Sequence, residues 1–376
     1  MNNAKKTSCE ILYSPKDERF SESIRKFQGC PTIAITKNGR IYVAWYAGGT
    51  REPHMDNYNY LVYSDDDGES WSEPLLVIPS NKELMIHALD IQLWTDPDGK
   101  LHVFWVQNNV KPEPETMPTA REDQPLVAVE GYLFDDFRHS MWEIVCENPD
   151  AEEPRFSTPR MLDKGFLRCK PTVLKSGRWL FFNYDQIDER YGYSISDDKG
   201  KSFRHAYGKK KLSTVFDETM AYQKNDGSIR VFARTSLGEI AEFYSFDDAE
   251  SFTEPTLSGI VGANTRHYVS RTPTGRIILV KNDSREKRIN MTVCLSDDDG
   301  ESFKYSHCVD ERVSSYPDVD FYGGKIYLVY DRERIGEKEI LFMKFTEEDI
   351  INGTTPKRPS IISKPLKNKQ KLLKKC

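Results

Sequence analysis

No stretch of this chain is apolar for the ~18 residues that a membrane-crossing helix needs. The opening MNNAKKTSCEILYSP lacks the apolar centre of a secretion signal. No membrane partner is therefore expected, and a cytoplasmic location is. The seven cysteines (9, 30, 146, 169, 294, 308, 376) are odd in number and fall at no metal-ligand spacing. Reduced thiols are expected rather than a disulfide frame. There is no glycine-rich phosphate loop, no HExxH and no GxSxG. The SDDDG runs resemble part of a calcium loop but lack its spacing and terminal Glu. Neither cofactor nor metal is expected. Hydrophobic residues make up only 38% of the 376, which suits many thin sheets rather than one thick core.

Positive charge is scarce except at one end. The net charge is −6, yet Pro356–Cys376 holds eight Lys/Arg and no acid, so the remainder carries −14. An acidic body argues against nucleic acid as a partner. Residues 351–376 are expected to be a basic, disordered tail.

What the chain has in quantity is a repeat. A turn residue, Gly and an apolar alternating run recur as KNGRIYVAW (37–45), PDGKLHVFW (97–105), KSGRWLFFN (175–183), NDGSIRVFA (225–233), PTGRIILVK (273–281) and YGGKIYLVY (322–330). Asn-Gly, Asp-Gly and Gly-Gly are hairpin signals because tight primed turns need φ > 0. The last three intervals between these glycines are 50, 48 and 49 residues, and the first two are 60 and 78. The longer ones imply insertions, of which Lys111–Gln124 reads as a polar, Pro-rich loop. Six units of about fifty residues predict an all-β, six-bladed β-propeller with four-stranded antiparallel blades. The propeller is expected over 1–350, with the N-terminal CEILYSP (9–15) supplying the outer strand missing from blade six.

A second pattern follows the first: SDDDGESW (64–71), SDDKGKSF (196–203), SFDDAESF (245–252) and SDDDGESF (296–303). These octapeptides resemble the Asp-box, Ser-x-Asp-x-Gly-x-Thr-Trp, of the sialidase superfamily. Ser64, Asp66, Gly68 and Trp71 match, Ser70 replaces Thr, and Ala249 replaces Gly in the third copy. Blade two keeps only a trace near Asp135 and Asp136. The resemblance implies the fold. Its Asp-boxes are structural and lie away from the active face.

Counting strands from the axis outward, the hairpins (one to two) and Asp-boxes (three to four) share a face. The segments that open strand one and the loops joining strands two and three lie on the other. Those segments are rich in Arg, Asp, Glu, His and Asn, and loops on a rigid scaffold often carry function.

The resemblance then implies roles residue by residue. Tyr316, opening blade six, resembles the nucleophile, and Glu218, opening blade four, resembles its base. Arg234 and Arg266 resemble two arginines of a carboxylate-binding triad. Asp56 resembles the acid, with Glu52 and Asp185 as competitors, and Arg51 resembles an accessory arginine. Gln28 stands at the expected position of the first triad arginine. Gln supplies no charge, and a charge-assisted bond is roughly twice as strong as a neutral one, so the expected sugar is acidic but differs from sialic acid. Asn282 and Arg332, in two-to-three loops, are further candidate substrate ligands.

His87 and His267 sit where strand one opens and could serve as general bases near neutral pH. With Lys170 and Tyr268 they would suit β-elimination from a uronic acid. Three functions stay open: a sialidase-like exo-glycoside hydrolase, a polysaccharide lyase acting on uronic-acid glycans, and a non-catalytic glycan-binding propeller. All three imply a carbohydrate partner.

Overall fold

The computed structural model describes residues 7–112, 128–129, 131–184, 188–214, 216–354 and 358–365. Most of the Pro-rich insertion, Asp185 and the last eleven residues of the basic tail lie outside them, and the side chains of Asp135 and Asp136 are not described.

Each repeated Gly turn joins two antiparallel strands, and each pair is extended outward by two more. Blade one runs Phe27–Ile35, Ile41–Gly48, Tyr58–Ser64 and Leu76–Pro79. Blade two runs Ile86–Thr95, Leu101–Pro112, Tyr132–Cys146 and Arg160–Lys164, with Ala128–Val129 paired on its third strand. Blade three runs Thr172–Val173, Trp179–Phe181, Arg190–Ser196 and Arg204–Lys210. Blades four, five and six open on Thr219–Gln223, Tyr268–Arg271 and Ser315–Tyr322 and follow the same order. The alternation that buries one face of each strand packs neighbouring blades together, as where Trp94 of blade two meets Trp179 of blade three edge-on at 4.7 Å.

All four Asp-boxes close alike. In the first, Ser70 donates from its N–H (2.9 Å) and its hydroxyl (2.6 Å) to Asp66, and Ser64 Oγ accepts from Gly68 N–H at 3.0 Å. Trp71 packs edge-on to Phe342 of blade six at 5.4 Å. Ala249 holds φ +67° where its counterparts are glycines.

The ends differ from expectation. Leu12–Tyr13 does not complete blade six. It adds a fifth strand outside blade one, with Leu12 opposite Val77. The cause lies in its flanks: Cys9 N–H donates to Gln107 of blade two, and Tyr13 stacks on Phe156 at 6.1 Å, holding this segment along the blade one–two edge. Blade six takes its outer strand from Ser360–Ser363, inside the stretch expected to be tail. A short helix, Glu347–Ile351, turns the chain back to that position, and Thr346 and Asp349 form its capping box.

Among the described residues, no blade is thus built from both ends of the chain. The ring closes chiefly through side chains. Asp67 of blade one accepts from Lys325, Tyr327 and Lys344 of blade six at 2.7–2.9 Å. Across the axis, Asp318 accepts from Thr32 Oγ (2.6 Å), Ile33 N–H (2.9 Å) and Gln92 (3.3 Å).

Candidate active site

The innermost strands are irregular where they open onto the loop-rich face. Pairing register slips between Gly29 and Thr32, between Leu89 and Gln92, and between Ser315 and Asp318. Inside these bulges Cys30 (φ +55°), Asp90 (φ +46°) and Tyr316 (φ +57°) take the left-handed conformation. Bulges re-aim side chains, and here three of them turn toward one axial cluster. In blade three the inner strand is interrupted instead: Phe166–Leu167 pairs with Asn183–Tyr184, and Arg168 follows in the gap before Thr172.

These residues form an ion network around the Tyr316 ring. Arg234 Nη1 donates to Glu218 Oε2 at 2.8 Å and to Tyr316 Oη at 3.2 Å. Arg168 faces three carboxylates: Glu218 (3.3 Å), Asp90 (3.0 Å) and Glu52 (3.4 Å). Arg334 pairs with Glu52 at 2.8 Å and with Asp331 at 2.9 Å. The guanidinium carbons of Arg334, Arg168, Arg266 and Arg288 lie 3.9, 5.3, 5.3 and 5.5 Å from the Tyr316 ring centre. Above them is a cleft of ≈ 250 Å³ whose polar lining is Glu52, His139, Arg168, Arg234, Arg288, Tyr316 and Arg334. Phe166, Phe216 and Leu89 give it apolar walls.

The charges are tuned by this packing. Burial raises the Glu218 carboxyl, but Arg234, Arg168 and Arg266 outweigh it and hold its pKa down to about 2. Burial, reinforced by Glu218 and opposed by the arginines, raises the Tyr316 phenol above its ordinary value, so it is neutral at pH 7. Burial also pushes the Asp90 carboxyl up, against the pull of Arg168 and with Glu52 and Glu218 adding to it. Five arginines thus face four carboxyls, one of them pushed toward its neutral form, and the cleft is poised for an anion.

Cys30, Glu52 and Asp90 place ligand atoms within 4.8 Å of one another. The group does not suit a metal ion. The guanidiniums of Arg168 and Arg334 already neutralise its carboxylates, and burial pushes the Cys30 thiol far up, away from the thiolate a metal needs.

Of the residues singled out from the sequence, Arg234, Tyr316 and Glu52 line the cleft, and Glu218 is buried beside them, bonded to Arg234. Asp56 does not. It is exposed, pairs with Lys82 at 2.6 Å, and lines a separate groove of ≈ 930 Å³ beside blade one. That groove is larger, but its buried charge, Arg25, is already bonded to Tyr58, Ser363 and Phe20 O. Glu52 is the carboxyl that the same loop turns into the cleft. Arg51 is exposed, and its backbone oxygen accepts from Asn57.

Gln28 is buried in the blade one–six seam. It donates to Lys338 O (2.5 Å) and Ser363 O (3.2 Å) and accepts from Trp45 (3.2 Å), because the bulge turns the following residues rather than Gln28 toward the axis. Arg266 is a staple beneath the cleft: it donates to the carbonyls of Arg168 (2.8 Å), Pro31 (2.9 Å), Tyr316 (3.2 Å) and Pro317 (3.3 Å). Lys170 lies further down the axis, donating to Val319 O at 2.6 Å, and with Tyr268 it lines a different pocket.

Asn282 clamps its own loop through Ile289 O and Ser314 O, each at 3.0 Å. Arg332 pairs with Glu339 at 2.8 Å, and its neighbour two residues on, Arg334, occupies the cleft instead. His87 and His267 are buried outside the cleft lining. His87 bonds Tyr46 Oη at 2.8 Å, and burial lowers the two imidazoles to about 3 and about 4.

Arg168, Arg288, Arg334 and Asp90 went unrecognised in the sequence, although a signal for two of them is there. Nine residues before the hairpin glycines 39, 99, 177, 227 and 275 stand Cys30, Asp90, Arg168, Glu218 and Arg266, and eight before Gly324 stands Tyr316. Blade repetition alone therefore points to one inner ring of residues.

The profile of the BNR repeat-like domain matches residues 39–327. This chain belongs to the BNR repeat-like family. No curated protein matches its sequence. Among solved structures, this BNR repeat-like protein is similar to the NanB sialidase of Streptococcus pneumoniae, at 17% identity and a TM-score of 0.66 over 92% of this chain and 71% of that one. It is similar to the intramolecular trans-sialidase of Ruminococcus gnavus, solved with oseltamivir carboxylate, at 15% identity and 0.66 over 91% and 98%. It is also similar to a protein of unknown function from Dyadobacter fermentans, at 19% identity and 0.66 over 88% and 95%. The shared feature is the six-bladed sialidase-type propeller, here with a divergent sequence.

Proposed function

We propose that this protein is a sialidase-like exo-glycoside hydrolase acting on an acidic sugar in the axial cleft. The observation that carries the proposal is the single Arg234 nitrogen bonded to both Glu218 and Tyr316 Oη, inside an arginine-walled pocket. Tyrosine is the nucleophile that sialidases use in place of a carboxylate. A neutral phenol avoids driving one anion against another that the substrate carries.

Tyr316 Oη attacks the anomeric carbon as its proton passes to Glu218, and Glu52, entering the step protonated, gives its proton to the departing oxygen. Water then breaks the tyrosyl–sugar bond, with Glu52 now taking a proton from it and Glu218 returning one to the phenolate. In the empty site the arginines make Glu218 a poor base. A substrate carboxylate drawing on Arg234 and Arg168 weakens that hold and strengthens the base where the substrate binds.

The test is incubation with sialosides, uronides and neutral oligosaccharides, read by mass spectrometry, beside Glu218→Gln and Tyr316→Phe. Release of an acidic monosaccharide by the wild type, with turnover reduced ~10²-fold or more in both variants, is expected. An unsaturated product absorbing in the near ultraviolet would instead establish elimination. Binding of an acidic glycan without turnover would leave a lectin-like propeller.

A further inference from the structure

Gly29 is the one cleft-side residue of the first bulge with no side chain, and its φ is not in the left-handed region. Glycine is therefore used here for space. A Cβ at this position would lie 2.8 Å from both Cγ and Nε of Arg334 and 2.9 Å from its Cδ. The stem of Arg334 fills the volume that a side chain on residue 29 would take. The loop carrying it is fastened there, because Arg334 O accepts from Gln28 N–H at 3.2 Å. Two of its three guanidinium nitrogens are used: Nε on Asp331 and Nη1 on Glu52. The third, Nη2, is buried with no acceptor among the described residues. The plane lies 3.9 Å from the Tyr316 ring centre, beside the proposed nucleophile. A buried guanidinium nitrogen without an acceptor is costly to leave so, and a cleft ligand offering an anionic oxygen would satisfy it.

We propose that Arg334, lodged in the space left by Gly29, is a specificity-determining residue whose Nη2 binds a carboxylate oxygen of the substrate. This rests on the hydrolase reading for the identity of the site, but it concerns binding and can be measured without turnover. The arrangement ties recognition to the acid as well, since Arg334 also holds Glu52. Residue 29 sets which chain segment supplies the cation: any larger residue there evicts the arginine that blade six contributes.

N-acetylneuraminic, glucuronic and galacturonic acids, each beside its methyl ester, would be titrated calorimetrically onto the full chain, its Arg334→Met and Arg334→Lys variants, and Gly29→Ala. In the wild type at least one acid should bind about tenfold or more tighter than its ester. Arg334→Met should remove most of that preference, by weakening the acid and leaving the ester unchanged. Gly29→Ala should do the same with Arg334 intact, and Arg334→Lys should fall between. Gly29→Ala also covers the case in which Arg334→Met fails to fold.

Acid binding unchanged in a folded Arg334→Met or Gly29→Ala protein would overturn the inference, as would a wild type that prefers none of the acids. The two proposals fail separately. Arg334-dependent acid binding with no glycoside cleaved sinks the hydrolase alone. Cleavage with an unchanged KM in Arg334→Met sinks the arginine's role alone.

Discussion

Tyr316 is held where few tyrosines are found. A bulky residue at φ +57° is a backbone outlier, and such conformations cost of order 1–3 kcal/mol each and gather at active sites. Cys30 and Asp90 share the feature one and two blades away. The bulges that permit it also decide which residues reach the cleft, and alternation alone cannot reveal a bulge. For that reason Glu218 and Tyr316 could be found from the sequence, since each opens a blade, while Gln28 could not be told from Gly29 or Cys30. The two-to-three loop of blade one presents the same difficulty, with two carboxyls four residues apart. The structure separates them: Glu52 is paired with Arg334 and Arg168 in the cleft, and Asp56 is in solvent with Lys82. Glu52→Gln is therefore expected to lower kcat by ~10²-fold or more and Asp56→Asn to leave it within about twofold, measured on the first cleaved glycoside. Equal losses would return Asp56 to the role of acid.

At the scale of the blade, the hairpins and Asp-boxes were legible because their information is local. A turn that needs φ > 0 writes itself as Gly, and a Ser/Asp turn writes itself as an octapeptide. The outermost strands carry no such mark. Ser360–Ser363 pairs with blade six because the Glu347–Ile351 helix returns the chain to that edge, yet its surroundings read as a basic tail. Asp-box glycines such as Gly300 serve a packing role that hairpin glycines such as Gly177 do not. A Cβ on Gly300 would overlap Tyr222 Oη of blade four, whereas one on Gly177, at nearly the same φ, would meet none of the described residues within 4 Å. Gly177→Ala should cost only the left-handed backbone term, ~1–2 kcal/mol. Gly300→Ala should cost clearly more, because the blade four–five seam must open. Urea unfolding of both decides it. A Gly300→Ala protein as stable as Gly177→Ala would mean that Tyr222 moves aside freely.

Across the whole ring, closure without a shared blade leaves stability to side-chain contacts, many of them ionisable, so pH should govern it. Glu218 has its pKa depressed to about 2 by its arginines. Its contribution is present above the unfolded value of ~4.3 and is lost as pH falls through 2. His102 runs the other way. Burial disfavours its charge, but bonds to Asp96 (3.2 Å) and Glu143 (2.6 Å) prevail and raise its pKa. Its contribution is complete below the unfolded ~6.5 and disappears as pH rises through the folded value. Burial raises Asp90 and raises Asp217 to about 7, so the folded state keeps protons that the unfolded chain gives up above ~3.9, and stability falls as pH rises from there. The terms agree on a maximum at mildly acidic pH. Thermal melts should peak there and decline as pH rises through neutrality. His102→Gln should flatten the alkaline decline by lowering the acidic plateau, and Asp217→Asn should flatten it by raising the alkaline limb. Melts that peak above pH 8, or a His102→Gln profile parallel to the wild type, would show that the ring is held by its apolar seams and not by these buried charges.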